Sequence, residues 1–309
     1  MIANREAYGN TLVKLQSRFK NLVVLDADLA AATYTSVFKK AFPKQFIECG
    51  IAEANMMAVA AGLAASGMLP FVSTFAVFAS LRAAEQFRNS VCYPHLNVKV
   101  VATHAGLECG ADGATHQALE DLAVMTAMAG NTVLVPSDPH STEALVTLAA
   151  GFNGPCYIRV GRDKVSDIYK STEEFHIGGS HKLRNGSDLS ILATGDRVGA
   201  ALAAAKKLEE HGVNAAVYDM YSLKPLDEDA VVEACSCKHI VTVEDHQKYG
   251  GLGSAVCQCI CSYGLHAQVS VMGVDNSFGR SGPSSELFEF YHIDTNAIVS
   301  NSLKNLERQ

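Results

Sequence analysis

No block of lysine or arginine occurs anywhere in these 309 residues, and the formal charge is −7. A chain of that balance has no electrostatic case for nucleic acid or for anionic membrane surfaces. No apolar run reaches about 18 residues without a charge or a turn former, so no membrane span is expected. The start, MIANREAYGNTL, lacks a positive stretch followed by an apolar one and so gives no sign of a secretion signal. The G-x-S-x-G elbow of serine hydrolases is missing. The glycine-rich stretch 105–117, AGLECGADGATHQ, has no GK[ST] and does not open a helix directly. It is therefore neither a P-loop nor a dinucleotide fingerprint.

Nine cysteines are present, an odd number. Without a secretion signal they read as reduced thiols of a cytoplasmic protein. Cys235-Ser-Cys237 and Cys257-Gln-Cys259-Ile-Cys261 are spaced C-x-C. Zinc ribbons favour C-x₂–₄-C, and alternation on apolar segments suits packing better.

Hydrophobic residues make up 48% of the chain, enough for two medium domains. Residues 4–20 read as an amphipathic helix. Apolar runs without alternation at 22–25, 45–49, 68–74, 97–104, 132–135 and 155–160 suit strands of a parallel sheet covered on both faces. Helical stretches lie between them, at 52–65, 74–93, 118–130 and 141–152. Residues 166–186 change character and read as a linker with one strand. A second series follows: strands at 188–193, 213–221, 239–246 and 268–274, and helices at 198–212, 226–237, 248–264 and 284–293. The expected fold is α/β, with two doubly wound, mostly parallel sheets. The expected domains are 1–165 and 187–309, the second having a separate, smaller parallel sheet.

Candidate chemistry collects at the carboxyl ends of the first strands, where such sheets bind ligands. Asp26 and Asp28 close the first strand, with helix capping as the alternative. Glu53 opens the stretch GIAEANMMAVAAGLAAS, which is apolar almost all round and predicts burial on every side. A buried carboxyl must be paired, protonated or functional; the alternative is an exposed first-turn Glu favoured by the helix dipole. Phe75 and Phe78, at i,i+3, share a helix face and suit core packing or a flat ligand. His104, Asp112 and His116 border a flexible loop. They suit either zinc or a hydroxylated substrate, and the lack of further acids or thiols nearby favours the second. Arg159 ends a strand, where a salt bridge is the simplest reading.

These residues carry a resemblance. GIAEANMMAVAAGLA resembles the catalytic-glutamate motif of the thiamine-diphosphate enzymes of the transketolase family. STFAVFASLRAAEQFRN resembles their pyrimidine-pocket helix, and ATHAGLECGADGATHQALEDLAVM their substrate loop. The likeness runs to about residue 275. It covers a pyrimidine-binding domain and a C-terminal domain, but the Gly-Asp-Gly signature of the diphosphate- and metal-binding domain does not occur. The chain thus resembles the C-terminal half of a split transketolase. That implies a partner polypeptide with the diphosphate domain, an α₂β₂ assembly, and Mg²⁺ or Ca²⁺ held by the partner.

The resemblance also implies roles. Glu53 would bond the aminopyrimidine nitrogen and favour the tautomer whose amine activates the thiazolium carbon, and the cofactor does the remaining electron chemistry. Phe75 and Phe78 would pack on the pyrimidine, with Asp28 close to the cofactor. His104, Asp112 and His116 would line the sugar channel, with His as proton carrier, and Arg5 and Arg159 would clamp a substrate anion. The implied reaction moves a two-carbon ketol unit from a ketose to an aldose. Departures stand at Leu81, Ala32 and Ala105 and after Glu53, where the family has an aromatic, a serine, an aspartate and a histidine. GIAE also occurs in 1-deoxyxylulose-5-phosphate synthases and in the beta subunits of 2-oxo-acid dehydrogenases. A non-catalytic homologue that keeps the fold is the alternative of another class. TGD (194–196), EDH (244–246) and YGGLGSAV (249–256) of the second domain read as turn and packing features.

Overall fold

The computed structural model describes residues 2–307. Strands β1 (Leu22–Asp26), β2 (Phe46–Glu48), β3 (Leu69–Phe75), β4 (Lys99–Thr103), β5 (Thr132–Leu134) and β6 (Cys156–Arg159) come first. They are followed by β7 (His181–Arg184), β8 (Leu189–Ala193), β9 (Ala215–Asp219), β10 (Ser222–Lys224), β11 (His239–Gln247) and β12 (Gln268–Val274). The first sheet has the order β10-β5-β6-β4-β3-β1-β2 and the second β12-β11-β8-β9-β7. Both are mostly parallel, with antiparallel edge strands β10 and β7.

The unbroken apolar strands follow from two-sided burial. In β1, Leu22 and Val24 face a core with Tyr8, Leu12, Leu145 and Ile158, below the helices Asn4–Leu15 and Pro139–Gly151. Val23 and Leu25 face the other core, with Met56, Met57, Val72 and Leu122. Each such side chain removed from water contributes about 1.5–3 kcal/mol, which explains why no position along the strand is polar until its end. Asp138 caps the helix Pro139–Gly151 by accepting from Ser141 N at 2.7 Å.

Several elements depart from the periodicity. The first helix stops at Leu15 rather than near residue 20. The helix Glu53–Ala65 buries Met56, Met57, Ala60 and Ala61 but leaves Ala58, Gly62 and Ala65 exposed. Burial is thus one-sided in this chain, because small side chains allow close approach without requiring it. The single helix expected over 74–93 is a strand end followed by π-helical turns at Phe78–Arg82 and Phe87–Cys92 around the short helix Ala84–Gln86. Phe75 closes β3, so it does not share a helix face with Phe78. The helix expected from 118 is Asp121–Ala127.

The second sheet is smaller but not fully separate. β10 follows β9 yet pairs with β5 at the edge of the first sheet. A further helix, Thr295–Glu307, packs Ile298 into the second core. No helix among the described residues is long and apolar enough to cross a membrane.

Candidate active site

β1 leads to β2 on one side and β3 pairs with β1 on the other, so the strand order reverses at β1. That reversal opens a crevice beyond the carboxyl ends of the two strands, the usual ligand position in such sheets. Asp26, Ala27 and Asp28 lie at the end of β1, Glu53 follows β2, and Phe75 ends β3.

The acids at the end of β1 divide into two roles. Asp26 is fully buried and accepts from Leu29 N at 2.7 Å, Thr33 Oγ1 at 2.7 Å and Thr35 Oγ1 at 2.8 Å. Burial pushes its carboxyl up to about 6, against those hydrogen bonds. It organises the turn. Asp28 sits at φ 63° with an exposed side chain, its amide held by Glu48 Oε1 at 2.8 Å.

Glu53 is 2% exposed. Its Oε1 accepts from Arg82 Nη1 at 2.7 Å, whereas Oε2 is buried without a partner. Arg82 in turn lies over the Phe78 ring, 4.2 Å from its centroid, and the rings of Phe75 and Phe78 stack with centroids 5.8 Å apart and planes 13° off parallel. His104 stacks on Phe75 at 3.9 Å, and His116 meets Phe78 edge-on at 5.4 Å. Two aromatic faces, two imidazoles and one half-satisfied carboxyl therefore converge. A flat heterocycle with a ring nitrogen would meet both the stack and the vacant oxygen.

His104 is 3% exposed at φ 57°. Burial, reinforced by Arg5 and Arg162, lowers its pKa to about 3, so the ring is neutral near pH 7. Thr103 Oγ1 engages its Nδ1 at 2.9 Å, which leaves Nε2 for chemistry. His116 is half-buried, its Nδ1 2.9 Å from Thr115 Oγ1. Asp112 is exposed and accepts only from the Cys109 thiol at 3.7 Å among the described residues.

The stretch 105–117 is not the flexible loop expected from its glycines. Residues 106–110 are buried. Leu107 N donates to Asp245 Oδ1 and Oδ2 at 3.0 and 2.8 Å, and Gln117 Nε2 donates to Arg280 O at 2.9 Å. Gly106 sits at φ 67°, where a Cβ would lie 2.0 Å from Asp245 Oδ2. No other residue fits there, and the EDH segment of the second series braces the turn that carries His104.

Arg159 resolves toward its simpler reading. It is 5% exposed, with Nε on Asp121 Oδ2 at 2.8 Å and Nη2 on Asp121 Oδ1, Ala118 O and Asp245 O at 3.2, 3.1 and 2.8 Å. Nε and Nη2 are thus committed to an internal ion pair instead of a ligand. Arg162, which the spacing did not single out, lies by Arg5. Arg5 Nε donates to Arg162 O at 3.0 Å, and both arginines act on His104. Its position at the end of the same strand-to-loop passage, three residues on from Arg159, was the available signal. Arg82 was also missed, and asking what countered the charge of Glu53 would have found it.

All nine cysteines are free; Cys92, Cys156, Cys235 and Cys259 pack into apolar cores. Among the described residues no three His, Cys, Asp or Glu side chains converge as metal ligands.

Residues 1–167 match the family of transketolase pyrimidine-binding domains and residues 178–298 that of transketolase C-terminal domains. The chain is 44% identical over 307 residues to a protein of Methanocaldococcus jannaschii named as a transketolase C-terminal section, covering 99% of this chain and 96% of that one. It is 36% identical over 310 residues to one of the subunits of the apulose-4-phosphate transketolase of Phocaeicola vulgatus, covering 100% and 99%. Among solved structures, a split-gene transketolase described as an inactive beta4 tetramer superposes with TM-score 0.90 at 45% identity, covering 99% of this chain and 98% of that one.

Proposed function

The chain belongs to the transketolase family, as the C-terminal type of subunit in a split enzyme, and on that premise we propose how its residues serve a thiamine-diphosphate-dependent ketol transfer. The observation that carries the reading is the half-satisfied carboxyl of Glu53, linked through Arg82 to the Phe75–Phe78 stack. A buried carboxylate oxygen without a donor costs about 1–3 kcal/mol or more, and an aminopyrimidine supplies that partner while its ring extends the stack. When bound, thiamine diphosphate supplies the nucleophilic carbon and the electron sink for moving a two-carbon unit between sugars.

The protein's share is binding, orientation and proton handling. Glu53 holds the ring nitrogen, Phe75 and Phe78 pack on the ring, and Asp28 lies at the rim. His104, neutral and anchored at Nδ1, presents Nε2 to a sugar hydroxyl or carbonyl oxygen, with His116 and Asp112 farther along the same stretch. Arg5 and Arg162 give the channel positive charge for an anionic sugar; they replace the expected pair of Arg5 and Arg159. Residues 1–165 form the pyrimidine-binding domain; of the expected linker 166–186, β7 pairs with β9 in the second sheet, so the end of that stretch joins the C-terminal domain expected at 187–309. Mg²⁺ or Ca²⁺ and the diphosphate are held by a partner subunit in an α₂β₂ assembly. A cytoplasmic setting in carbohydrate metabolism suits the nine unpaired thiols.

The test uses the assembled pair. The chain alone is expected to be inactive, and activity to appear with partner, thiamine diphosphate and Mg²⁺. Glu53→Gln should lower kcat by roughly 10²–10⁴-fold with the fold intact by circular dichroism. Wild-type turnover in that variant would remove the mechanism. Pyruvate consumption with decarboxylation would move the enzyme to the deoxyxylulose-phosphate or oxo-acid class.

A further inference from the structure

The half-pairing of Glu53 raises a second question: what selects the oxygen that stays free. Arg82 Nη1 takes Oε1 at 2.7 Å and leaves Oε2 as the buried atom without a donor. The same guanidinium lies over the Phe78 ring, its carbon 4.2 Å from the centroid. Cation–π contact and hydrogen bond together hold the fork in one place. Both contacts arise in the π-helical turn Phe78–Arg82, closed by Ala83 N donating to Phe78 O at 3.1 Å. Such widened turns inside helices concentrate at functional sites. The Arg82 side chain is 49% exposed and Glu53 2%, so the cation reaches from the surface to a buried carboxyl, and cofactor affinity and the lysine and methionine variants are needed to separate positioning from charge compensation. Among the described residues Arg82 forms no other ion pair.

We infer that Arg82 is a positioning residue, clamping Oε1 of Glu53 so that Oε2 alone faces the aminopyrimidine. The inference rests on the proposed function and adds to it a group that acts through Glu53. Without the clamp the carboxyl rotates about its last torsion, which is broad for a Glu side chain. The oxygen that meets the ring is then no longer held in place before the cofactor arrives, and preorganisation of that kind is a large part of what a site contributes.

The experiment compares Arg82→Ala, Arg82→Met and Arg82→Lys in the assembled pair. Turnover is read alongside thiamine diphosphate affinity, measured by calorimetric titration with Mg²⁺ present. Arg82→Ala should lower kcat about tenfold or more and weaken cofactor binding several-fold, while sugar KM values stay within about twofold. Arg82→Met keeps a stem against Phe78 but donates nothing, so it should match the alanine variant. Arg82→Lys restores one charged donor and should recover part of both losses. Unchanged kcat and cofactor affinity in Arg82→Ala would overturn the inference, as would full rescue by Arg82→Met. Glu53→Gln separates the two levels. If it is inactive while Arg82→Ala is normal, the clamp alone is wrong; if it is active, the reading beneath the clamp is wrong.

Discussion

Two of the regions that hold buried charged groups do so differently. In the seam between the two series of strands, Arg159 pairs with Asp121 and donates to Asp245 O, the Asp245 carboxylate accepts from Leu107 N, and Tyr157 Oη joins Asp121 at 2.8 Å. At the crevice beyond β1 and β3, Glu53 has one oxygen without a donor, and Asp28 and Arg82 stand at the surface. Satisfied networks hold a fold in register. The vacancy at Glu53 lies beyond the carboxyl ends of the strands, where sheets of this kind bind ligands. The difference separates Arg159, buried and paired with a carboxylate, from Arg5 and Arg162, half-buried and hydrogen-bonded to the backbone carbonyls of Arg162, Ala32 and Cys109, although residue type alone treats all three alike.

The strongest way to break the comparison is to strip the seam. Arg159→Met leaves Asp121 buried without its cation, and such losses run to roughly 3–5 kcal/mol; urea unfolding of the purified chain measures it. A loss below about 1 kcal/mol would show that the seam does not depend on its charges. Next comes Gly106→Ala. It forces a methyl against Asp245 in a left-handed backbone position and should destabilise by about 2 kcal/mol or more. His104 should move with it, so the assembled enzyme loses turnover even where the variant folds.

On the open side the effects are on catalysis rather than stability. Arg5→Gln and Arg162→Gln should each raise KM for a phosphorylated or sulfonated ketose about tenfold, an effect of about 1.4 kcal/mol. KM for an uncharged ketose should be unaffected. Equal losses for both substrates would mean that the arginines are structural after all.

The smallest effect is the pH dependence of stability. Burial raises Asp26 to about 6, and Asp219 and Glu244 to about 7. An acid raised in the folded state holds a proton that the unfolded chain has released. Its contribution is full below the unfolded value near 4 and is lost as pH rises through 6 to 7. The urea midpoint should therefore be higher near pH 5.5 than near pH 8, and the opposite slope would show that these acids are paired in solution.

Much of this was legible in the residues. The apolar runs gave strands because each is covered on both faces, and an acid ended the first because Asp26 holds the turn that follows it. GIAE, the phenylalanines and the two histidines stood out as candidates from residue type and spacing, and the fold brings the rings of Phe75, Phe78, His104 and His116 together. The rest was not local. Phe75 read as helical because its composition matches the turns that follow, and only pairing of β3 with β4 makes it a strand end. The π-helical turns have no periodic signature over so few residues. β10 is too short to announce itself, and its partner β5 is 88 residues earlier in register at Ser222 and Leu134.

By itself the sequence determined the order of strands and helices, the absence of a diphosphate signature, and the residue types that meet at the crevice, since these depend on local composition and spacing. Only the tertiary structure decided which charges are spoken for. Whether an arginine serves the fold or a ligand depends on the partners that distant segments bring within 3 Å, and Asp121 and Asp245 reach Arg159 from 38 and 86 residues away.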